Sequence, residues 1–174
     1  MKTQAMDKAK TAVSKCLYPF ATALAEHGYP RARDYEVVRT RDGSGDGIKT
    51  RVAFDSRLCI ARVSGYALNE RRLHTVQMSS RIHLYDPWFS GLLSHSCNPN
   101  AFLDMTYLEL WSVQPIPAGA LLTMDYAHTE DVLFRQFRCQ CGELNCRGWI
   151  TGMKEPLNPE GQQFMEQWRE RKSP

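Results

Sequence analysis

The stretch that most narrows how this chain can fold is Cys139-Gln140-Cys141-Gly142-Glu143-Leu144-Asn145-Cys146. In an extended segment residues i and i+2 face the same way, so Cys139 and Cys141 can point at one ion. The glycine lets the chain turn back and bring in Cys146. A closed structural zinc shell needs four ligands. The chain has six cysteines, and the other three are Cys16, Cys59 and Cys97. Cys59 lies in the apolar run 58–63 and Cys16 among apolar positions at helical spacing, so both read as small core residues. Cys97 is the natural fourth ligand.

Cys97 sits in Ser94-His95-Ser96-Cys97-Asn98-Pro99-Asn100, a polar stretch between apolar Leu92-Leu93 and Ala101-Phe102-Leu103. Nothing in it suits a helix interior. Proline disfavours the helical region for the residue before it, and Ser and Asn compete for local backbone hydrogen bonds. The stretch is therefore expected to be a tight loop between two strands. An ordinary solvent loop is the plain alternative, but the set His, Cys and two Asn beside apolar strands is unusual for one.

Three motifs now stand in order: His95-Ser96-Cys97-Asn98-Pro99-Asn100, then Gly119-Ala120-Leu121-Leu122-Thr123-Met124-Asp125-Tyr126, then the CxC-x4-C cysteines. In order and spacing the set resembles the SET-domain protein lysine methyltransferases that carry a post-SET zinc segment. A looser match reaches back to Gly45-Asp46-Gly47. The resemblance implies a β-rich α+β fold of short strands and hairpins, with S-adenosylmethionine as cofactor and zinc in the C-terminal segment. It also implies methyl transfer to the side-chain amine of lysine in a protein or peptide.

Residue by residue, the resemblance places Tyr126 as the catalytic tyrosine. It places Gly45, Asp46 and Gly47 against the methionine part of the cofactor. The His95 backbone holds the adenine, Asn100 fixes the loop beside it, and Trp149 closes an apolar surface over it. Ser94 stands where relatives usually have Asn and offers fewer hydrogen bonds. His74 falls roughly where many relatives have a tyrosine lining the lysine channel, and an exposed strand histidine is the alternative for it; Tyr66 is a further candidate for the channel. Met124 stands where many relatives have Phe or Tyr. Two residues before Tyr126, it is expected on the same strand face, in a channel wide enough for dimethyl or trimethyl lysine.

Composition fits one globular domain: 174 residues, 43% of them hydrophobic. No apolar run approaches the roughly 18 residues of a membrane span, and the polar N-terminus does not open a signal peptide. A soluble intracellular protein with no membrane partner is expected, and cysteines at metal-like spacing fit a reducing compartment. A net charge of +3 gives no reason to expect direct nucleic-acid binding. Residues 1–90 carry a net +6 and residues 91–174 a net −3. The acidic half holds the motifs, which suits a basic peptide; scattered solvated charges are the equal alternative.

Four segments are expected: a helical 1–34, a catalytic unit at 35–135, a zinc segment at 136–152 and a C-terminal helix at 153–174. Apolar positions in 5–28 recur at three and four, with Pro19 as a break. Residues 35–39 read as a strand. Residues 42–47 read as too glycine-rich for a regular element, with a plain hairpin turn as the alternative to a ligand loop. Segments 51–54 and 58–63 read as paired strands, 68–72 as a short helix, 75–84 as one or two strands, and 102–103, 107–113 and 121–126 as strands. In the tail, Asn158 caps a helix that starts at Pro159 and puts Phe164 and Trp168 on one face. A SET-like binding module that keeps the fold and zinc but has lost turnover is the alternative function. Nothing in the sequence speaks to oligomeric state.

Overall fold

A computed structural model describes residues 16–20, 27–39 and 45–172. The described residues form twelve short strands and two α-helices. Strands β1 (Tyr35–Arg39) and β2 (Asp46–Thr50) pair antiparallel, Tyr35 opposite Thr50. Then come β3 (Cys59–Arg62), β4 (Tyr66–Leu68), β5 (Thr75–Gln77) and β6 (His83–Tyr85). After a tight turn follow β7 (Ser94–His95), β8 (Ala101–Asp104), β9 (Glu109–Ser112) and β10 (Thr123–Met124). The C-terminal part is α1 (Tyr126–Thr129), β11 (Phe137–Arg138), β12 (Trp149–Ile150) and α2 (Pro159–Lys172). Strands β3, β9 and β8 form one sheet and β4, β6 and β5 another, while β11 pairs with β12.

The pair that positions the site is β7 with β10, which lie parallel, Ser94 beside Thr123 and His95 beside Met124. Parallel neighbours cannot be joined by a hairpin, so the two strands meet only after β8, β9 and the turn at Pro117-Ala118-Gly119 have intervened. Asn100 then ties the crossing: its Nδ2 donates to the Leu121 carbonyl at 2.8 Å and its Oδ1 accepts from the Thr123 amide at 2.9 Å.

Ahead of β7 the chain folds around Asp86, which is fully buried. Its carboxylate accepts from the amides of Trp88, Phe89 and Ser90, from the Ser90 hydroxyl and from the Tyr18 hydroxyl. So many donors satisfy the charge that burial would otherwise penalise. Gly91 is required at the end of this turn, because a Cβ there would lie 2.3 Å from the Asp86 carbonyl oxygen.

The main core is made of alternating inward residues, with Ile48, Leu93, Leu103, Leu110, Ile116 and Leu122 fully buried around Phe89. A smaller cluster gathers Leu133, Cys139 and Ile150 with the other cysteines. Tyr126 packs against both clusters and so sits on the seam between them.

Several local expectations are corrected. Asp46 and Gly47 belong to β2 rather than to an irregular loop. Residues 51–54 are no strand, and β3 pairs instead with β9, about fifty residues away. Tyr66–Leu68 is a strand and 69–72 is irregular, so the short helix expected at 68–72 is absent. Cys59 is exposed and not a core residue. The helix expected over 5–28 falls mostly outside the described residues. Within them, residues 16–20 are not helical, and Cys16 makes an isolated bridge to Arg31. Helix α2 starts at Pro159 as expected, with Asn158 Oδ1 accepting from the Gly161 amide at 2.7 Å. Among the described residues, no helix is long and apolar enough to cross a membrane.

Candidate active site

The four cysteines Cys97, Cys139, Cys141 and Cys146 converge, their Sγ atoms all within 4.8 Å of one another. Cys97 is carried by the loop after β7, and the other three by the loop between β11 and β12. Gly142, at φ 73°, turns that loop back on itself. The loop is tied down by the Cys139 amide on the Gly148 carbonyl and by Asn145 Nδ2 on the Cys97 carbonyl, at 2.8 and 2.9 Å.

These residues fit a zinc ion. Tetrahedral Zn–S bonds of about 2.3 Å put sulfurs about 3.8 Å apart, and Cys97 and Cys139 stand at 3.8 Å. Burial pushes the Cys141 thiol up, but hydrogen bonds with the Cys97 and Glu143 backbone and with the neighbouring thiols outweigh it and bring it down to about 7. Burial raises the Cys97 and Cys139 thiols, so of these three Cys141 is the most readily deprotonated for metal binding.

Beside the cluster opens a cavity of about 910 Å³, whose wall includes Asp46, His74, Ser94, His95, Met124 and Tyr126. The Tyr126 hydroxyl donates to the Leu93 carbonyl at 2.7 Å. Burial is the main cause, and Glu130 a lesser one, of a phenol pushed up to about 12. The ring stands edge-on to both His95 and Phe137, with centroids 5.2 and 5.8 Å away. Tyr126 opens α1 rather than extending a strand, because Asp125 caps the turn through the Ala127 amide. The strand-face argument linking Met124 to Tyr126 therefore fails, although both line the one cavity.

His95 is buried and its Nδ1 accepts from the Tyr126 amide at 3.3 Å. Burial, with Arg147 adding to it and Asp125 opposing, lowers its pKa to about 4, so the ring is neutral. Asp125 and Arg147, which the sequence reading did not single out, form a two-pronged pair with N–O distances of 2.8 and 2.5 Å. Burial works against ionisation of Asp125, but the Arg147 guanidinium holds its carboxyl below the usual range. Their one sequence signal is adjacency: Asp125 precedes the tyrosine, and Arg147 follows the last cysteine.

The other expected site residues divide. Gly45, at φ 114°, and Gly47 lie next to the cavity wall residue Asp46. Gly47 sits in a crowded position, where a Cβ would stand 2.9 Å from Leu121 Cδ1 and 3.3 Å from Ser94 Oγ, both side-chain ends. His74 is half-buried at φ 65°, outside any strand, with Nδ1 3.0 Å from the Gly91 carbonyl oxygen. Tyr66 is 55% exposed and packs on Phe20 and Trp88, away from the cavity. Trp149 also faces elsewhere: its ring packs on Phe164 of α2 and its Nε1 donates to Gln136 Oε1. The aromatic wall near the cysteines is formed instead by Phe134 and Phe137. Arginines 71, 72, 135 and 138 line the cavity against the carboxyls of Asp46 and Glu130, so the acidity of the C-terminal half does not extend to the site.

No family model matches the chain. Among curated proteins it is 38% identical over 84 residues to the Drosophila melanogaster histone-lysine N-methyltransferase Set2, covering 45% of this chain and 4% of that one. It is 36% identical over 74 residues to the Arabidopsis thaliana histone-lysine N-methyltransferase ASHR3, covering 38% and 14%. With the Aspergillus flavus methyltransferase flvH it shares 36% identity over 64 residues, or 36% of each chain. The matched stretch is thus well under half the length of any of the three. The crystal structure of KRYPTONITE with mCHG DNA and SAH superposes at a TM-score of 0.55 and 22% identity, over 68% of this chain and 29% of that one. The fold is that of a SET domain. In the SET domain the motif order along the sequence becomes spatial: the parallel β7/β10 crossing presents Tyr126 to the cavity, and the cysteine segment packs over it.

Proposed function

We propose that this SET domain transfers a methyl group from S-adenosylmethionine to the side-chain amine of lysine in a protein or peptide. The observation that carries the reading is Tyr126, a neutral phenol on a cavity wall, held at the junction of the main core and the cysteine cluster. S-adenosylmethionine, when bound, supplies a methyl group on a positively charged sulfur, and the acceptor nitrogen must approach it in line with water excluded.

Asp46, Ser94 and the His95 backbone would hold that cofactor, and Cys97, Cys139, Cys141 and Cys146 would hold zinc as a closed structural shell. The residues fit: polar groups from β2 and β7 stand beside the aromatic surface of Phe137 in one cavity.

The acceptor amine reacts only when neutral, and removing its proton near pH 7.4 costs about 4 kcal/mol from a lysine pKa of about 10.4. An apolar channel lowers that cost by disfavouring the ammonium form. Tyr126 suits this task because its own proton goes to Leu93, leaving lone pairs on the phenol oxygen to accept an amine N–H. It orients the nitrogen without a charge that would stabilise the unreactive ammonium. The lysine ammonium must give its proton to water before the channel closes, so the nitrogen that Tyr126 orients is the neutral amine, and the positive charge of the sulfonium would pass to the methylated nitrogen.

We assign residues 35–135 to the catalytic unit, 136–152 to the zinc segment and 153–174 to a C-terminal part whose helix α2 packs on that segment. Residues 1–34 stand outside the catalytic unit in this division. Incubation with isotopically labelled S-adenosylmethionine and a pool of lysine-bearing peptides tests the reading, with label expected in peptide. Cofactor binding without label transfer would instead make the chain a binding module.

A further inference from the structure

The cysteine segment is joined to the start of α1 by one continuous chain of contacts. The Arg147 amide donates to Cys97 Sγ at 3.4 Å, so this residue is anchored where the four sulfurs meet. Its guanidinium reaches Asp125 with both prongs, Nη1 on Oδ2 and Nη2 on Oδ1. Asp125 is 6% exposed, and its Oδ1 also accepts from the Ala127 amide, which makes the first turn of α1. On the opposite side the Tyr126 amide is held by His95 Nδ1, and His95 precedes Cys97 by two residues. Tyr126 therefore hangs between two supports that both lead back to the cysteines.

We propose that Arg147 is a positioning residue for Tyr126, transmitting the order of the metal segment to the catalytic tyrosine through Asp125. The inference rests on the functional reading above for its kinetic consequence, though not for the contact itself. A paired carboxylate with two fixed donors is a directional clamp, which a single lysine nitrogen does not reproduce. Without it Asp125 is left buried with only the Ala127 amide and the edge of His95. The turn that begins at Tyr126 then loses one of its two anchors. Misplacement of a catalytic group by about 1 Å is enough to lower a rate a hundredfold.

The test is a double-mutant cycle with a structural readout beside it. Arg147→Ala is expected to keep one zinc per chain and to lower kcat at least ~tenfold with a smaller change in cofactor KM; Arg147→Lys restores only part of the rate. In a Tyr126→Phe background the same Arg147→Ala change is expected to lower kcat less than ~threefold, because there is no phenol left to misplace. Equal losses in both backgrounds would overturn the proposal. Amide exchange of residues 126–129 reads the latch without turnover: it should quicken in Arg147→Ala with zinc retained. Unchanged exchange would overturn the latch even if activity fell. Should the wild type transfer no methyl group, the functional reading fails while the exchange arm still decides the latch. Asp125→Asn, which keeps an oxygen for the Ala127 amide, gives the same comparison if Arg147→Ala does not fold.

Discussion

Asp125 and Arg147 lie 22 positions apart in sequence and meet through two hydrogen bonds, at 2.8 and 2.5 Å, one residue before the tyrosine and one residue after the last cysteine of the cluster. The cysteine segment is thereby part of the cavity's construction as well as a staple for the C-terminal loop. That relation governs what removing the metal should do.

Purified protein is expected to hold one zinc per chain by elemental analysis, since four thiols converge in a closed set. Cys141→Ser should lose the metal and weaken S-adenosylmethionine binding, because the loop carrying Phe137 and Arg147 loses its anchor. Full cofactor affinity in a zinc-free Cys141→Ser protein would separate the two sites.

Glu130 supplies a pH test of the cavity wall. It is 7% exposed, and burial, set against the Gln77 amide and Arg71, raises its carboxyl from 4.5 to about 7. Between those values the folded state keeps a proton that the unfolded state sheds, so stability falls as pH rises through the window and levels off above it. The fall is on the order of 3 kcal/mol. Glu130→Gln keeps an oxygen for the Gln77 amide and should remove that fall, leaving the variant more stable than wild type at pH 8. Denaturant midpoints across pH that run parallel for the two proteins would contradict it.

Met124 addresses how many methyl groups are added. It is buried, lines the cavity with Tyr126, and has on its other side a second hollow of about 320 Å³ bounded by Phe102 and Val113. A flexible thioether with space behind it can give way to a bulkier nitrogen. The wild type is expected to form dimethyl or trimethyl lysine, and Met124→Tyr to shift product towards monomethyl. A wild type that stops at monomethyl with cofactor in excess would remove the argument.

The cysteine set was legible because metal ligation imposes a spacing that few other roles share. The 94–100 loop was legible because its residues fit no regular element. Tyr126 was found by motif, but its setting was not: Asp125 reads as a strand residue until its side chain is seen capping α1. The pairing of β3 with β9 depends on contacts far apart in sequence, which no local pattern encodes. Gly47 reads as a loop residue, yet it lies in strand β2 with the Leu121 and Ser94 side chains close against it. Trp149 was expected over the cofactor and Tyr66 in the channel, but α2 and the Phe20-Trp88 cluster draw their rings away from the cavity.

In this reading the Tyr126 hydroxyl orients an amine for methyl transfer. The most direct measurement is single-turnover methylation of one lysine peptide, followed by mass spectrometry, with wild type and Tyr126→Phe each saturated with S-adenosylmethionine. The variant leaves the Leu93 carbonyl without its donor, a loss of about 1 kcal/mol that a folded domain tolerates. Cofactor affinity is expected to be unchanged and the rate lower by about a hundredfold or more. A Tyr126→Phe protein that methylates the peptide at the wild-type rate would contradict it.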